Sequence, residues 1–209
     1  MSYKPQDLFI GVIDLFVIIL PGALLLFAAL RVLYQYPEHS LPVAVWSDVT
    51  AAAAFVGGAY LLGHLVSGLG SLVEDAYNAV VKAWVLKKYP EARSMVTTVV
   101  ARSGLPVGDK PDKVRRWAAT YLRLHDPAAA AHIDRKDADR RFFRNVTVVL
   151  LFPAIAFLCQ GNRTEALVWG ALLATSMLRY FDQQDKYTRD VFEYFLLSPD
   201  LRATPTPPA

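Results

Sequence analysis

Residues 8–33 read LFIGVIDLFVIILPGALLLFAALRVL, an apolar run that carries one acidic residue, Asp14, and one basic residue, Arg31. A helix needs about 20 apolar residues to cross the hydrocarbon core of a bilayer, which is about 30 Å thick. The run is too long for the apolar part of a signal peptide, and no cleavage pattern of small residues follows it at the usual distance. It therefore predicts a helix that stays in the membrane.

Three further apolar blocks follow the first. They span residues 51–73, 142–159 and 166–181, and the last two are short for a membrane crossing. Only QGNRTE, residues 160–165, separates these two, which is typical of a tight helical hairpin. No strand-like alternation of apolar and polar residues appears. The sequence predicts an all-α polytopic membrane protein with four transmembrane helices arranged as two hairpins.

Composition limits the chemistry open to the chain. Of its 209 residues, 54% are hydrophobic, and there is one cysteine, Cys159. A single cysteine excludes an intrachain disulfide and a cysteine-based metal cluster. The pair His125 and His132 lacks a metal-ligand spacing, and no glycine-rich phosphate loop or nucleophile motif occurs. We therefore expect no metal, no cofactor and no catalytic residue.

Basic residues are distributed unevenly among the segments that join the blocks. Fifteen of the 22 lysines and arginines lie between residues 72 and 145, whereas the loops after the first and third blocks carry only Arg31 and Arg163. Lysine and arginine beside a span stay on the cytoplasmic side. This predicts a protein of the cell (inner or plasma) membrane with both termini in the cytoplasm. Since topology accounts for the basic excess, nucleic-acid binding is not expected.

The blocks divide the chain into four predicted domains. These are a first transmembrane hairpin (1–73), a cytoplasmic helical domain (74–141), a second transmembrane hairpin (142–181), and a cytoplasmic amphipathic helix with a disordered tail (182–209). Apolar residues at helical spacing continue past the second and fourth blocks, so these helices are expected to extend into a cytoplasmic bundle with the 74–141 insertion. An aromatic stripe from Met177 to Phe195 is expected to pack on the face from Val73 to Val85. Asp126 is a predicted N-cap.

Small residues recur at every fourth position of the second block, at Ala59, Gly63, Ser67 and Ser71. In membranes this spacing lets two helix backbones approach closely. We predict a tight helix contact along this seam, made either within the chain or with a second copy of it.

Two ionisable residues, Asp14 and His64, lie inside apolar blocks and well away from their ends. With 1.5 Å of rise per residue, Asp14 is about 9 Å from Leu8 and His64 about 10 Å from Ser71, the expected inner boundaries of their spans. A charge at such depth costs roughly 2.5–3.5 kcal/mol and requires a partner. We predict that Asp14 and His64 face each other or a polar pocket that Thr147, Thr175 and Ser176 complete. This pocket is either a clasp between helices, a proton- or ion-handling site, or a constriction in an oligomeric pore.

Three arginines, Arg140, Arg141 and Arg144, lie where the third block meets the cytoplasm. Basic side chains at this level attract lipid headgroups. We predict that the three arginines contact lipid phosphates.

The expected function is that of a non-enzymatic membrane protein. It would act in the lipid bilayer by self-association as a homo-oligomer, by binding a cytoplasmic protein partner, or by both. Its role would be that of a membrane effector, a channel-like component or a scaffold. One alternative is a membrane-embedded enzyme that acts on lipid and transfers protons through Asp14 and His64. Another is a small ion or solute transporter, which the absence of an internal sequence repeat disfavours.

Overall fold

The computed structural model is helical over nearly all of the residues that it describes. These are residues 5–33, 48–88, 94, 97–101 and 111–198, with side chains for 15–32, 49–75, 94, 97–101 and 113–198. The helices are α1 (Pro5–Leu33), α2 (Asp48–Lys88), α3 (Pro111–His125), α4 (Pro127–Cys159) and α5 (Arg163–Leu197). No strand occurs within those ranges, so the all-α prediction is confirmed there. The predicted disordered tail lies outside the described residues.

Three helices are long and apolar enough to cross a membrane. They are Leu15–Val32 within α1, Val49–Asp75 within α2, and α4. The fourth apolar block forms the first half of α5 and does not join them. Its uncharged run, residues 166–178, is bounded by Glu165 and Arg179, and covers only about 20 Å at 1.5 Å per residue. By length and hydropathy alone the described chain thus has three candidate spans, where four were predicted.

The chain forms two compact units. The first comprises Met1–Ala76 and Ala138–Asp182, and the second comprises Tyr77–Asp137 and Gln183–Ala209. Helix α1 belongs to the first unit and α3 to the second, whereas α2, α4 and α5 contribute residues to both.

Helices α1, α4 and α5 share an apolar core in the first unit, built from Ala28, Val32, Leu150, Phe157 and Trp169. The rings of Phe157 and Trp169 stack with their centroids 6.5 Å apart. Beside this core, Trp169 Nε1 donates to Glu165 Oε2 at 3.1 Å, and Arg31 Nη2 lies 3.4 Å from the other Glu165 oxygen. The end of α1 and the start of α5 therefore lie at the same end of the unit.

A tight turn joins α4 to α5. Asn162 N donates to Phe157 O and Gly161 N donates to Leu158 O, which are the two hydrogen bonds of a Schellman motif. Gly161 has a φ of 73°, a left-handed conformation that glycine adopts without steric cost. Asn162 then caps α5 by accepting a hydrogen bond from Glu165 N. The predicted helical hairpin is therefore present, with a shorter turn than the QGNRTE segment implied.

The second unit has its own apolar core, in which α3, α4 and α5 meet. Its buried members include Val114, Ala118, Leu122, Ile133, Tyr187, Val191 and Phe195. The ring of Phe195 makes edge contacts with Trp117 and Tyr121 at centroid distances of 5.1 and 5.3 Å. The aromatic stripe of α5 therefore packs on α3 and α4. The predicted partner of this stripe is the α2 face from Val73 to Val85. Most of that face lies beyond residue 75, where the α2 side chains are outside the described residues.

The predicted N-cap of α4 is confirmed. Ala129 N donates to Asp126 Oδ1 at 3.0 Å, which satisfies a backbone N–H that has no partner within the helix. Pro127 occupies the first helical position, where a missing N–H costs nothing.

Candidate functional site

A carboxylate and two guanidinium groups meet in the first unit. Arg140 Nη1 donates to Glu74 Oε1 at 2.7 Å, and Arg144 Nη1 donates to Glu74 Oε2 at 2.9 Å. The two arginine side chains are only 9% and 10% exposed. Each carboxylate oxygen thus has a charged donor of its own, and such charge-assisted hydrogen bonds are roughly twice as strong as neutral ones. This ion cluster joins α2 to α4.

Helical spacing on α4 explains how the ion cluster forms. Arg140 and Arg144 are four residues apart, so both emerge on the same face of the helix. Glu74 directly follows the apolar part of α2. A buried guanidinium with no counter-charge costs several kcal/mol, so the shared carboxylate is what allows both arginines to be buried.

Asn145, the residue after Arg144, joins α4 to α1. Pro21 has no N–H, so the carbonyl of Val17, four residues earlier, lacks its usual donor within the helix. Asn145 Nδ2 donates to this Val17 oxygen at 3.4 Å in a buried environment. The side chain of α4 thereby satisfies a backbone group that the proline of α1 leaves without a partner.

Gly70 of α2 packs directly against these polar side chains. A Cβ at this position would lie 2.8 Å from Arg144 Nε and 2.8 Å from Asn145 Oδ1, closer than carbon contacts allow. Neither of these buried atoms has a hydrogen-bond partner among the residues that the structure describes. Residue 70 is therefore restricted to glycine if Arg144 and Asn145 are to keep their positions.

Two of the predicted pocket residues lie together. Thr147 Oγ1 is 3.0 Å from Ser176 Oγ, and both hydroxyls are buried. Thr147 also donates to the carbonyl of Phe143 at 2.8 Å, which leaves the hydroxyl of Ser176 to donate across to α4. The third hydroxyl, on Thr175, is exposed and donates to Ala171 O within its own helix.

The structure does not place His64 with these hydroxyls. The His64 side chain is exposed, and its ring makes an edge contact with Tyr60 at a centroid distance of 4.6 Å. The side chain of Asp14 lies outside the described residues. The pairing of Asp14 with His64 therefore stays a prediction.

The small-residue seam of α2 lies partly against α1. A Cβ on Gly63 would overlap the carbonyl oxygen of Ile18, and a Cβ on Gly22 would overlap that of Ala59. These reciprocal contacts bring the two backbones into direct van der Waals contact. Farther along α2, Ser67 is half-buried and Ser71 is exposed.

The three arginines proposed as lipid ligands differ in their surroundings. Arg140 and Arg144 are buried and donate to Glu74, whereas Arg141 is half-buried. Their contact with lipid phosphates stays a prediction.

The sequence analysis missed the residues that hold the first unit together: Gly22, Gly70, Glu74 and Asn145. Each carries a local signal. Glu74 and Asn145 are polar residues at the edges of apolar blocks, Gly22 follows the only proline of α1 apart from Pro5, and Gly70 is four residues before Glu74. These signals mark positions without indicating which helix each one contacts.

An ion pair joins α3 to α4 in the second unit. Arg123 Nε and Nη2 both donate to Asp134 Oδ1, at 3.0 and 2.7 Å. Burial lowers the pKa of Arg123, but the hydrogen bond and charge of Asp134 outweigh it, so the pKa is raised above its ordinary value. Both side chains are partly exposed, so water screens the pair and it adds little stability.

The described residues include no group of three histidine, cysteine or acidic side chains that could hold a metal ion. In the first unit Glu74, Asn145 and Ser176 instead make contacts between helices. No family model, no curated protein and no solved structure matches the chain.

A double-mutant cycle tests the bond between Asn145 and Val17. Asn145→Ala is expected to destabilise the protein by about 1–3 kcal/mol, because the Val17 carbonyl is left buried without a donor. In a Pro21→Ala background residue 21 regains its N–H, so the same change should cost about 1 kcal/mol less. The measurement is the free energy of unfolding in detergent micelles. If the two losses of unfolding free energy are strictly additive, Asn145 does not donate a hydrogen bond to the Val17 carbonyl.

Proposed function

We propose that this chain is a four-span membrane protein that acts without catalysis, by associating with itself and by presenting its second unit to a protein partner in the cytoplasm. The observation that carries the proposal is the distribution of exposed apolar side chains. Among the side chains that the structure describes, 23 large hydrophobic ones are exposed, and all but Leu124 and Leu197 lie in the first unit. Monomeric soluble proteins rarely expose contiguous apolar surface on that scale.

Two observations favour α5 as a fourth span. The first half of α5 packs on α1 and α4 through Trp169 and Ser176. Its outward face is apolar, with exposed Leu167, Val168, Leu172, Met177 and Leu178. A helix packed beside two candidate spans lies in the same lipid environment as they do, and the flanking Arg179 can extend its charged end to the interface. Residues 163–182 cover about 30 Å at 1.5 Å per residue, which matches the thickness of the hydrocarbon core.

Charge distribution favours a cytoplasmic second unit and cytoplasmic termini. With four spans, 20 of the 22 lysines and arginines fall on one side, and only Arg31 and Arg163 fall on the other. This matches the bias of cytoplasmic loops towards positive charge. The pairing of Arg31 with Glu165 agrees with it, because α1 would end and α5 begin at the same surface.

The contacts of the polar side chains support a non-enzymatic role. Glu74, Asn145 and Ser176 each bond to a neighbouring helix. The carboxylate of Glu74 has a guanidinium on each oxygen, which suits a structural contact better than a general base.

Cysteine labelling in intact cells tests the proposed topology. In a Cys159→Ser background, Arg163→Cys should react with a membrane-impermeant maleimide added from outside. Arg116→Cys, the matched control at an exposed residue of α3, should react only after the cells are permeabilised. Equal labelling of the two variants in intact cells would overturn the four-span arrangement.

A further inference from the structure

The helix α2 is the least covered of the three candidate spans. In its most apolar 18-residue window 17% is buried, against 28% for the window in α1 and 39% for the window in α4. The contacts of α2 with α1 use Ala59 and Gly63, and those with α4 use Gly70 and Glu74. On the opposite side of the helix the side chains are exposed, and none of the described residues packs against them.

A row of exposed residues with alternating spacing of three and four follows this face. We call it the α2 outer stripe, and its members are Ala54, Gly57, Leu61, His64, Gly68 and Ser71. Alternation of three and four keeps a row on one side of a helix that crosses a neighbour at about +20°. Only Leu61 has the large apolar side chain that lipid tails favour. A Cβ at Gly57 or at Gly68 would meet open space.

His64 makes the α2 outer stripe poorly suited to lipid. It lies ten residues before Glu74, about 15 Å along the helix, which is about half the thickness of the hydrocarbon core. Among the side chains that the structure describes, none forms a hydrogen bond with its ring nitrogens. Polar residues at such depth usually face a protein partner or a water-filled cavity.

We propose that a second copy of this chain covers the α2 outer stripe, with the two α2 helices parallel across a two-fold axis normal to the membrane. The inference rests on the membrane insertion proposed above. Two copies inserted with the same topology bring each residue of the stripe opposite its own counterpart. The imidazole of His64 therefore meets an imidazole at the same depth.

Polar complementarity is the argument for a second copy. A neutral imidazole has one N–H donor and one nitrogen acceptor, so one His64 can donate to the other. The open space at Gly57 and Gly68 lets the backbones approach, as small residues do at helix contacts in membranes. Twofold symmetry is also the commonest arrangement of homo-oligomers.

Oxidative cross-linking in carbonate-washed membranes tests the interface. In the Cys159→Ser background, Leu61→Cys is expected to yield a disulfide-linked dimer. Leu69→Cys is the matched control, because Leu69 is exposed on the same helix but lies about 80° round the axis from Leu61. It should remain monomeric. Recovery of both variants in the washed membranes tests membrane insertion separately from dimer formation.

The contribution of His64 is measured by the dimer dissociation constant in detergent. His64→Leu keeps the helix apolar and should raise this constant by about 3- to 30-fold, the range for an interhelical hydrogen bond of about 0.6–2 kcal/mol. Asp14→Asn should leave it unchanged if His64 pairs with its own copy. An equal rise in both variants would instead support the Asp14–His64 pair and overturn this assignment.

Three results would overturn the proposal. If Leu61→Cys forms no dimer in washed membranes, lipid covers the α2 outer stripe in place of a second copy. A cross-linked product of a mass other than twice that of the chain would assign the stripe to a different protein. Cross-linking of Leu69→Cys in preference to Leu61→Cys would place the interface on another face of α2.

Discussion

Replacement of Glu74 with glutamine is expected to destabilise the protein by about 3–5 kcal/mol. The substitution keeps the size of the side chain but removes the negative charge that Arg140 and Arg144 share. Removal of one partner from a buried ion pair costs this much because the remaining charge stays uncompensated. Here two guanidinium groups remain, and the new amide directs a donor at one of them. The measurement is the free energy of unfolding in mixed micelles, followed by helical circular dichroism.

The two arginines supply the matched controls for this prediction. Arg144→Leu removes one positive charge and leaves a neutral pair between Glu74 and Arg140, so we expect a smaller loss than for Glu74→Gln. Combining Glu74→Gln with Arg144→Leu should recover part of the loss, since one positive charge remains instead of two. If Glu74→Gln unfolds at the same point as the original protein, the ion cluster contributes nothing to stability.

The sequence predicts the level of a residue along its helix better than it predicts the direction in which the side chain points. Helical rise assigns each residue a level along its helix, and that sufficed to place Thr147 and Ser176 together. It also placed Thr175 at the same level. Because adjacent helical residues point about 100° apart, Ser176 faces α4 whereas Thr175 is exposed. Depth can be counted from one sequence, but direction depends on which helix lies next to which.

The same distinction explains why Glu74 and Asn145 were missed. Glu74 directly follows the apolar block 51–73, which indicates its level along α2 but not its partners. The hydrogen bond of Asn145 depends on a defect in another helix, the carbonyl of Val17 that Pro21 leaves without a donor. A proline in a membrane helix predicts that some group must satisfy this carbonyl. Only the packing of α1 on α4 shows which group does so.

Length is the reason that the fourth block was harder to assign than the first two. An apolar run such as 8–33 is longer than the hydrocarbon core is thick, so its role does not depend on any neighbour. The uncharged run in α5 covers about 20 Å, and its place beside α1 and α4 appears only through contacts such as that of Trp169 with the apolar core.

Replacement of Gly63 with alanine is expected to destabilise the first unit by about 3 kcal/mol, at the upper end of the cost of overpacking. The added methyl group would overlap the carbonyl oxygen and carbon of Ile18. These are backbone atoms, so a side-chain rotation cannot relieve the overlap and α1 must move away from α2. Movement of α1 also stretches the bond between Asn145 and Val17. The measurement is the unfolding free energy in detergent, by the procedure used for Glu74→Gln.

Gly170→Ala is the matched control, because a Cβ at Gly170 of α5 meets nothing within 4 Å. Alanine favours a helix over glycine by up to about 1 kcal/mol in water, so this variant should unfold no earlier than the original protein. Gly22→Ala should resemble Gly63→Ala, since its new methyl would overlap the carbonyl of Ala59. The double variant should lose less than the sum of the two, because separation of α1 from α2 relieves both overlaps at once. A Gly63→Ala protein as stable as Gly170→Ala would mean that the two backbones do not make this contact.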